Sequence, residues 1–211
     1  EKAVRGDEIH AHIYGNGGFY FAGLDDDLDG TGYVSNEHNA FGGEVDIRSG
    51  TLVATTSNAL GGAEINSDGE YDYAASYSGD YASLLNIEDG AGFRLGKAST
   101  DKLTQTIGAL VTKETDSAKR AAVALNSGTL TIKPVDVEAA HSVIAAADTL
   151  TGIEDSKLVL SGGTLEVIGD QAGFAGTAEL QAEMQNNYFC RERARYEQDR
   201  DERERCARHK S

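Results

Sequence analysis

The chain has 211 residues, 35 Asp+Glu against 19 Lys+Arg and a formal net charge of −16, which excludes a broad basic nucleic-acid footprint, since such binding needs clustered Lys and Arg. Hydrophobic residues make up 39%, Trp is absent, and there are only one Pro and two Cys, so neither a dense aromatic core nor a disulfide framework is expected. No apolar run approaches the roughly 20 residues of a membrane-spanning helix, and Glu1-Lys2-Ala3-Val4 does not read as a signal peptide, so the chain reads as a soluble piece without direct membrane insertion.

Residues 1–42 form an N-terminal cap or irregular coils. Arg5-Gly6-Asp7 is the tripeptide that integrins read, which makes Arg5, Gly6 and Asp7 a candidate cell-attachment site. His10-x-His12 would set two imidazoles on one face of a strand, a geometry able to chelate zinc, and it is read as an ordinary exposed pair. Ile13-Tyr14-Gly15-Asn16-Gly17-Gly18-Phe19-Tyr20-Phe21 keeps a Gly-rich strand character. Asp25-Asp26-Asp27-Leu28-Asp29-Gly30 matches the start of a calcium loop, where carboxylates converge on a hard cation and Gly permits the sharp turn. Asp25, Asp27 and Asp29 are the candidate ligands of a structural Ca²⁺; Asn36 stands where the closing ligand belongs, and no other cofactor is expected.

From residue 43 to 182 a repeat emerges. Val45-Asp46-Ile47-Arg48-Ser49-Gly50-Thr51-Leu52, Val123-Ala124-Leu125-Asn126-Ser127-Gly128-Thr129-Leu130 and Leu158-Val159-Leu160-Ser161-Gly162-Gly163-Thr164-Leu165 each read as alternating apolar residues, a polar pair, Gly, then a second alternating run. Weaker copies surround Gly69, Gly90 and Gly108, with Ala145-Ala146-Ala147-Asp148 as a degenerate turn. The spacing suggests coils of about 19 residues. Alternation places Val45 and Ile47 on one face and Asp46 and Arg48 on the other; the Gly permits a corner with positive φ. Stacked coils pair strands in parallel about 4.8 Å apart, satisfying the backbone without a globular core. The fold class is therefore all-β, a parallel solenoid. The stretch from Asp116 to Ala124 is read as strand despite its helix-favouring Ala and Lys.

Tyr71, Tyr73, Tyr77 and Tyr81, interleaved with Ser, Gly and Asp, are the candidate ligand-binding residues, because Tyr offers rigid contact area at low entropy cost. No Gly-x-Ser-x-Gly elbow or phosphate-cradling loop is found, so the chain is not expected to be an enzyme.

Residues 183–211 differ in kind. Arg193 with Glu197, Arg195 with Asp199 and Asp201 with Arg205 are spaced i,i+4, as in an exposed charged helix. Cys190 and Cys206 would lie about 24 Å apart along a straight helix, against about 7 Å for bridged Cα atoms. Either a helical hairpin near Glu197–Asp201 joins them, or they are free, or they bridge chains.

Gly42 to Ala54, followed by Asn58-Ala59-Leu60-Gly61, and again Lys157 to Val167, resemble the strand repeat of bacterial autotransporter passengers of the pertactin-like and adhesin type. The resemblance covers residues 13–180. It implies a right-handed parallel β-helix exported through the outer membrane and displayed on the bacterial cell surface or secreted. The implied role is non-enzymatic adhesion to a host-cell surface protein or glycan, or self-association, with the last coils aiding folding during export. Some members of the family carry the Arg-Gly-Asp tripeptide. Parallel β-helices also host polysaccharide lyases and hydrolases, so a carbohydrate-active enzyme using Asp25–Asp29 is the alternative; clustered carboxylates in one turn are not yet positioned catalysis, and fold analogy is a weak warrant.

Overall fold

A computed structural model describes residues 7–23, 30–64, 76–116, 119–136 and 140–181. The described residues are all-β. In chain order the strands are β1 (Asp7–Ile9), β2 (Tyr14–Gly15), β3 (Phe19–Ala22), β4 (Thr31–Val34), β5 (Ala40–Phe41), β6 (Glu44–Ser49), β7 (Thr51–Ala54), β8 (Leu84–Ile87) and β9 (Gly92–Leu95). They continue as β10 (Thr104–Ile107), β11 (Leu110–Thr112), β12 (Ala122–Ala124), β13 (Thr129–Ile132), β14 (His141–Ile144), β15 (Leu150–Thr151), β16 (Lys157–Leu160), β17 (Thr164–Val167) and β18 (Thr177–Leu180). No helix is found among the described residues; of the 116–124 stretch read as strand, only Ala122–Ala124 form one, β12, while residues 116 and 119–121 lie outside any strand and 117–118 lie outside the described residues.

Every strand pairing is parallel. The first sheet runs β1-β4-β7-β9-β12-β15, the second β3-β6-β8-β11-β14-β17, the third β10-β13-β16-β18, and β2 pairs with β5 alone. The chain visits the sheets in rotation, so neighbours in a sheet are separated by strands belonging to the others. The segment after β7 joins the β2–β5 pair to the third sheet: Ala63 N donates to Asn39 O at 3.1 Å and Asn58 N to Thr104 O at 3.1 Å. The sheets run through residue 42 without a break, since β3 pairs with β6 and β4 with β7.

Inward positions of successive strands form continuous apolar rows. Leu52, Phe93, Val123 and Leu150 are in register in the first sheet, Val45, Leu85 and Leu110 in the second, and Ile107, Ile132 and Leu160 in the third. All are buried in one cluster. Burying each such side chain is worth about 1.5–3 kcal/mol relative to exposure, and the β-branched and aromatic members suit the pleated surface. β6 alternates as its sequence predicts: Val45 and Ile47 are buried, while Glu44 and Arg48 are exposed and Asp46 half-buried.

Two buried amides bind loops to this core. Gln105 stands in the row of Leu130 and Leu158, yet its Oε1 accepts from Leu60 N at 2.9 Å and its Nε2 donates to Gly61 O at 3.1 Å. Asn39 accepts from Ile13 N at 2.8 Å and donates to Ala59 O at 2.8 Å. Both side chains thereby satisfy backbone groups that burial would otherwise leave unpaired.

The repeat spacing needs correction. Thr31 faces Thr51, a step of 20, but Thr51 faces Gly92, a step of 41, and Gly92 faces Ala122, a step of 30. The interval of about 19 residues therefore does not measure the distance between paired strands. Gly50 and Gly90 turn from the second sheet to the first, Gly128 from the first to the third, and Gly108 and Gly163 from the third to the second. A strand–corner–strand signature looks alike at every corner, so the similar segments mark corners of different kinds. The Ala145–Asp148 stretch is also a turn, between β14 and β15, with Asp148 at φ 55°.

The glycines are required for two distinct reasons. Gly50 has φ 71°, where a Cβ is disfavoured. Gly108 lies outside that region and is required by close approach, because a Cβ there would sit 2.3 Å from Ser83 O.

Candidate functional site

Strand alternation that buries Val45 and Ile47 turns the intervening side chains of the second sheet outward, building a polar and aromatic face. Tyr20, Asp46 and Asn86 share one register row across β3, β6 and β8. Tyr20 is 64% exposed, and its ring faces solvent. The Arg48 guanidinium lies 4.3 Å from the Tyr20 ring centroid and donates from Nε to Asp46 Oδ2 at 2.7 Å. Asn86 Nδ2 donates to Asp46 Oδ1 at 2.8 Å and to Glu88 Oε1 at 3.2 Å, and Lys113 closes the chain of contacts on Glu88.

Burial pushes the Asp46 carboxyl up, but hydrogen bonds from Arg48 and Asn86, with the charges of Arg48 and Lys113, outweigh it and hold the group below the usual carboxylate range. The hydrogen bond to Glu88 holds the Lys113 ammonium above its ordinary value. Arg48 is paired with Asp46 and Lys113 with Glu88. The face offers a flat ring beside a planar amide and guanidinium, a combination suited to stacking and hydrogen bonding with an extended partner.

A second aromatic group lies at the β2 side. The His12 and Tyr14 rings meet edge-on at 5.3 Å, and Tyr14 and Tyr77 at 6.4 Å. Tyr77 sits on the turn formed by residues 76–79, which is fastened by Gly79 N donating to Ala63 O at 2.8 Å and Ser78 Oγ donating to Glu64 Oε2 at 3.1 Å. Of the four tyrosines proposed from sequence, Tyr77 therefore joins an aromatic cluster. Tyr81 is held differently: its hydroxyl donates to Lys133 O at 2.6 Å, and burial pushes its phenol up. Tyr71 and Tyr73 lie outside the described residues, as do Arg5, Gly6, Asp25, Asp27, Asp29 and the 183–211 tail with Cys190 and Cys206. Asp7 opens β1, at the outer edge of the first sheet.

The histidine pair is not on a strand, because β1 ends at Ile9. His10 Nδ1 lies 2.6 Å from Ser35 Oγ while His12 packs on Tyr14, so the two imidazoles have separate partners. Nearby, Glu8 lies 3.5 Å from Lys97 Nζ, which sits 4.7 Å from the Tyr33 ring centroid. Among the described residues no group of three or more His, Cys, Asp or Glu is placed to hold a metal ion.

Sequence reasoning missed Tyr20, Arg48, Asn86 and Tyr14 as surface groups that act together. The signal was present in Phe19-Tyr20-Phe21, where the phenylalanines are half-buried and the tyrosine is exposed. What it lacked was the neighbour: Asn86 reaches Asp46 only because β8 pairs with β6 across 40 residues. No family model, curated protein or solved structure matches the chain.

Proposed function

We propose that this chain is a right-handed parallel β-helix segment of a bacterial autotransporter passenger, displayed at the cell surface and acting without catalysis in adhesion or self-association. The observation that carries this reading is the rotation of the chain through parallel sheets whose inward rows are apolar and whose outward rows hold Tyr20, Asp46, Arg48 and Asn86. Such an architecture is quasi-one-dimensional and offers many weak contacts along a rigid surface rather than one deep pocket. The acidic net charge keeps the rod soluble.

The partner is a host-cell surface protein or glycan, met by the Tyr20 face and the Tyr14–Tyr77 cluster. A broad glycan panel and cultured epithelial cells, probed with the chain and with Tyr20→Ala and Tyr77→Ala variants, test this. Saturable binding that falls about tenfold or more in either variant supports the reading. Binding unchanged in both variants, or absent from the panel and the cells alike, removes the adhesive role from these faces.

A further inference from the structure

The first sheet has an outward face of its own, separate from that of Tyr20. Since Leu52, Phe93 and Val123 point inward, the residues that follow them point out, and Tyr33, Val53, Arg94, Ala124 and Thr151 form one register row across β4, β7, β9, β12 and β15. Arg94 is exposed, and among the described residues it has no hydrogen bond, ion pair or ring contact. Its surroundings are low. Gly92, two residues earlier on the same side, brings no side chain, and Ala122 and Ala124 on β12 bring only methyl groups. The carboxylate of this row, Glu8 on β1, is three strands away from Arg94 and lies 3.5 Å from Lys97 Nζ.

In a chain of net charge −16, a guanidinium with no carboxylate beside it is a local exception. Lys97, just beyond β9, sits 4.7 Å from the Tyr33 ring centroid. A second cation therefore lies two strands along the row from Arg94, about 10 Å at one strand spacing each. Strands β7, β9 and β12 are all paired on both edges, so an extended peptide laid on this face finds no backbone groups to bond. A flat ring that carries its own hydroxyl groups needs none.

We propose that this row binds an acidic glycan, a chain of sugars carrying carboxylates, laid along the row across the strands. The Arg94 fork takes one carboxylate through two parallel hydrogen bonds. The sugar that bears it rests on the low ground of Gly92, Ala122 and Ala124, and Lys97 meets a further carboxylate beside Tyr33. The site lies on a different sheet from the Tyr20 face, so it goes beyond the function proposed above and does not rest on it. The net charge of −16 repels such a chain at long range. The attraction therefore acts at contact, inside the Debye length of about 8 Å at physiological salt.

Calorimetric titration of the 1–211 chain with a hexasaccharide alternating glucuronate and N-acetylglucosamine tests the proposal, beside its carboxyl-reduced, neutral counterpart and hexaglutamate. The wild-type chain is expected to bind the acidic hexasaccharide, and each of the other two about tenfold or more weaker. Arg94→Ala is expected to weaken binding of the hexasaccharide about tenfold or more, the loss of a charge-assisted pair of hydrogen bonds. Arg94→Lys is expected to weaken it severalfold, because a point charge does not reproduce the fork, and it serves in place of Arg94→Ala if that variant loses its β-rich circular dichroism spectrum. Lys157→Ala, which removes an exposed cation from the third sheet, is expected to leave binding unchanged. A wild-type chain that does not bind the hexasaccharide overturns the proposal, and so does equal binding of the neutral form or of hexaglutamate. Binding unchanged in the Arg94 variants, or lost as much in Lys157→Ala, overturns it as well. Tyr20-dependent binding to cells without binding of the hexasaccharide leaves the adhesive face standing and removes only this site.

Discussion

Tyr81 and Lys133 are joined across 52 residues of chain by a hydrogen bond of 2.6 Å, from the phenol to a backbone carbonyl. Tyr81 also bridges Gly61 through its backbone, so one residue fastens the loop after β7 to the turn after β13. Removing the hydroxyl without changing the ring isolates this link. Tyr81→Phe is expected to lower stability by about 1 kcal/mol, read from urea melts. An unchanged midpoint would show that water replaces the phenol at no cost.

Gln105 is an amide in a row it shares with Leu130, Leu158 and Ala178. Gln105→Leu adds apolar burial but strands Leu60 N–H and Gly61 C=O, whose partners it supplies. The loss of a partner for each buried group costs about 1–3 kcal/mol, so the variant is expected to be less stable despite its greater hydrophobicity. A more stable Gln105→Leu chain in the same denaturant series would mean that the loop finds other donors and acceptors.

The corner at Gly50 is specific to glycine. Its φ of 71° opposes a side chain, and so does Gly30 O, from which a Cβ would stand only 2.1 Å away. Gly50→Ala is expected to cost more than the roughly 1–2 kcal/mol of the left-handed conformation alone. Gly17→Ala, where a Cβ meets nothing within 4 Å, is expected to stay within about 0.5 kcal/mol. Thermal melts of the pair check the contrast.

Phe93 is 1% exposed in the middle of the first sheet, in register with Leu52 and Val123. Phe93→Ala is expected to cost about 3–5 kcal/mol by lost transfer energy and the cavity left behind. Ile87→Val, which removes one methylene group from the neighbouring sheet, is expected to cost about 0.5–1.5 kcal/mol. Urea melts of both variants check the difference, and similar losses from both would mean that the rows collapse readily around a void.

Stability is expected to fall in acid through Asp46. Its folded-state carboxyl is held below the ordinary range, so it binds fewer protons folded than unfolded. The contribution is present above the unfolded value of about 3.9 and is lost as pH falls through the lower folded value. Asp89, held down chiefly by its hydrogen bond with Thr115, and Asp155, held down chiefly by Lys102, act in the same direction. Lys113 has the opposite sign: its folded value is raised, so its contribution is present below about 10.4 and is lost as pH rises through the folded value. Melting temperatures against pH for the chain and for Asp46→Asn check this; the variant is expected to lose part of the acid limb. Parallel curves would show that Asp46 is not coupled to folding.

The strands themselves were legible in the residues. Period-2 alternation fixed the inward positions of β6, and the turn signatures located the corners at Gly50, Gly90, Gly108, Gly128 and Gly163, because both are local consequences of backbone sterics and side-chain alternation. Strand pairing is not local. The signature of a corner is the same whichever sheets it joins, so equal spacing in sequence concealed steps of 20, 30 and 41 residues between paired strands. The candidate site shows the same division. Tyr77 could be proposed from its own surroundings, whereas its approach to Tyr14 and the contacts among Tyr20, Arg48, Asp46 and Asn86 required the register of strands far apart in the chain. By itself the sequence determined the strand character of the described residues, the acidic net charge and which side of β6 is apolar; tertiary structure decided which strands meet, because parallel pairing is selected by the apolar rows packing together and not by any residue's neighbours in the chain.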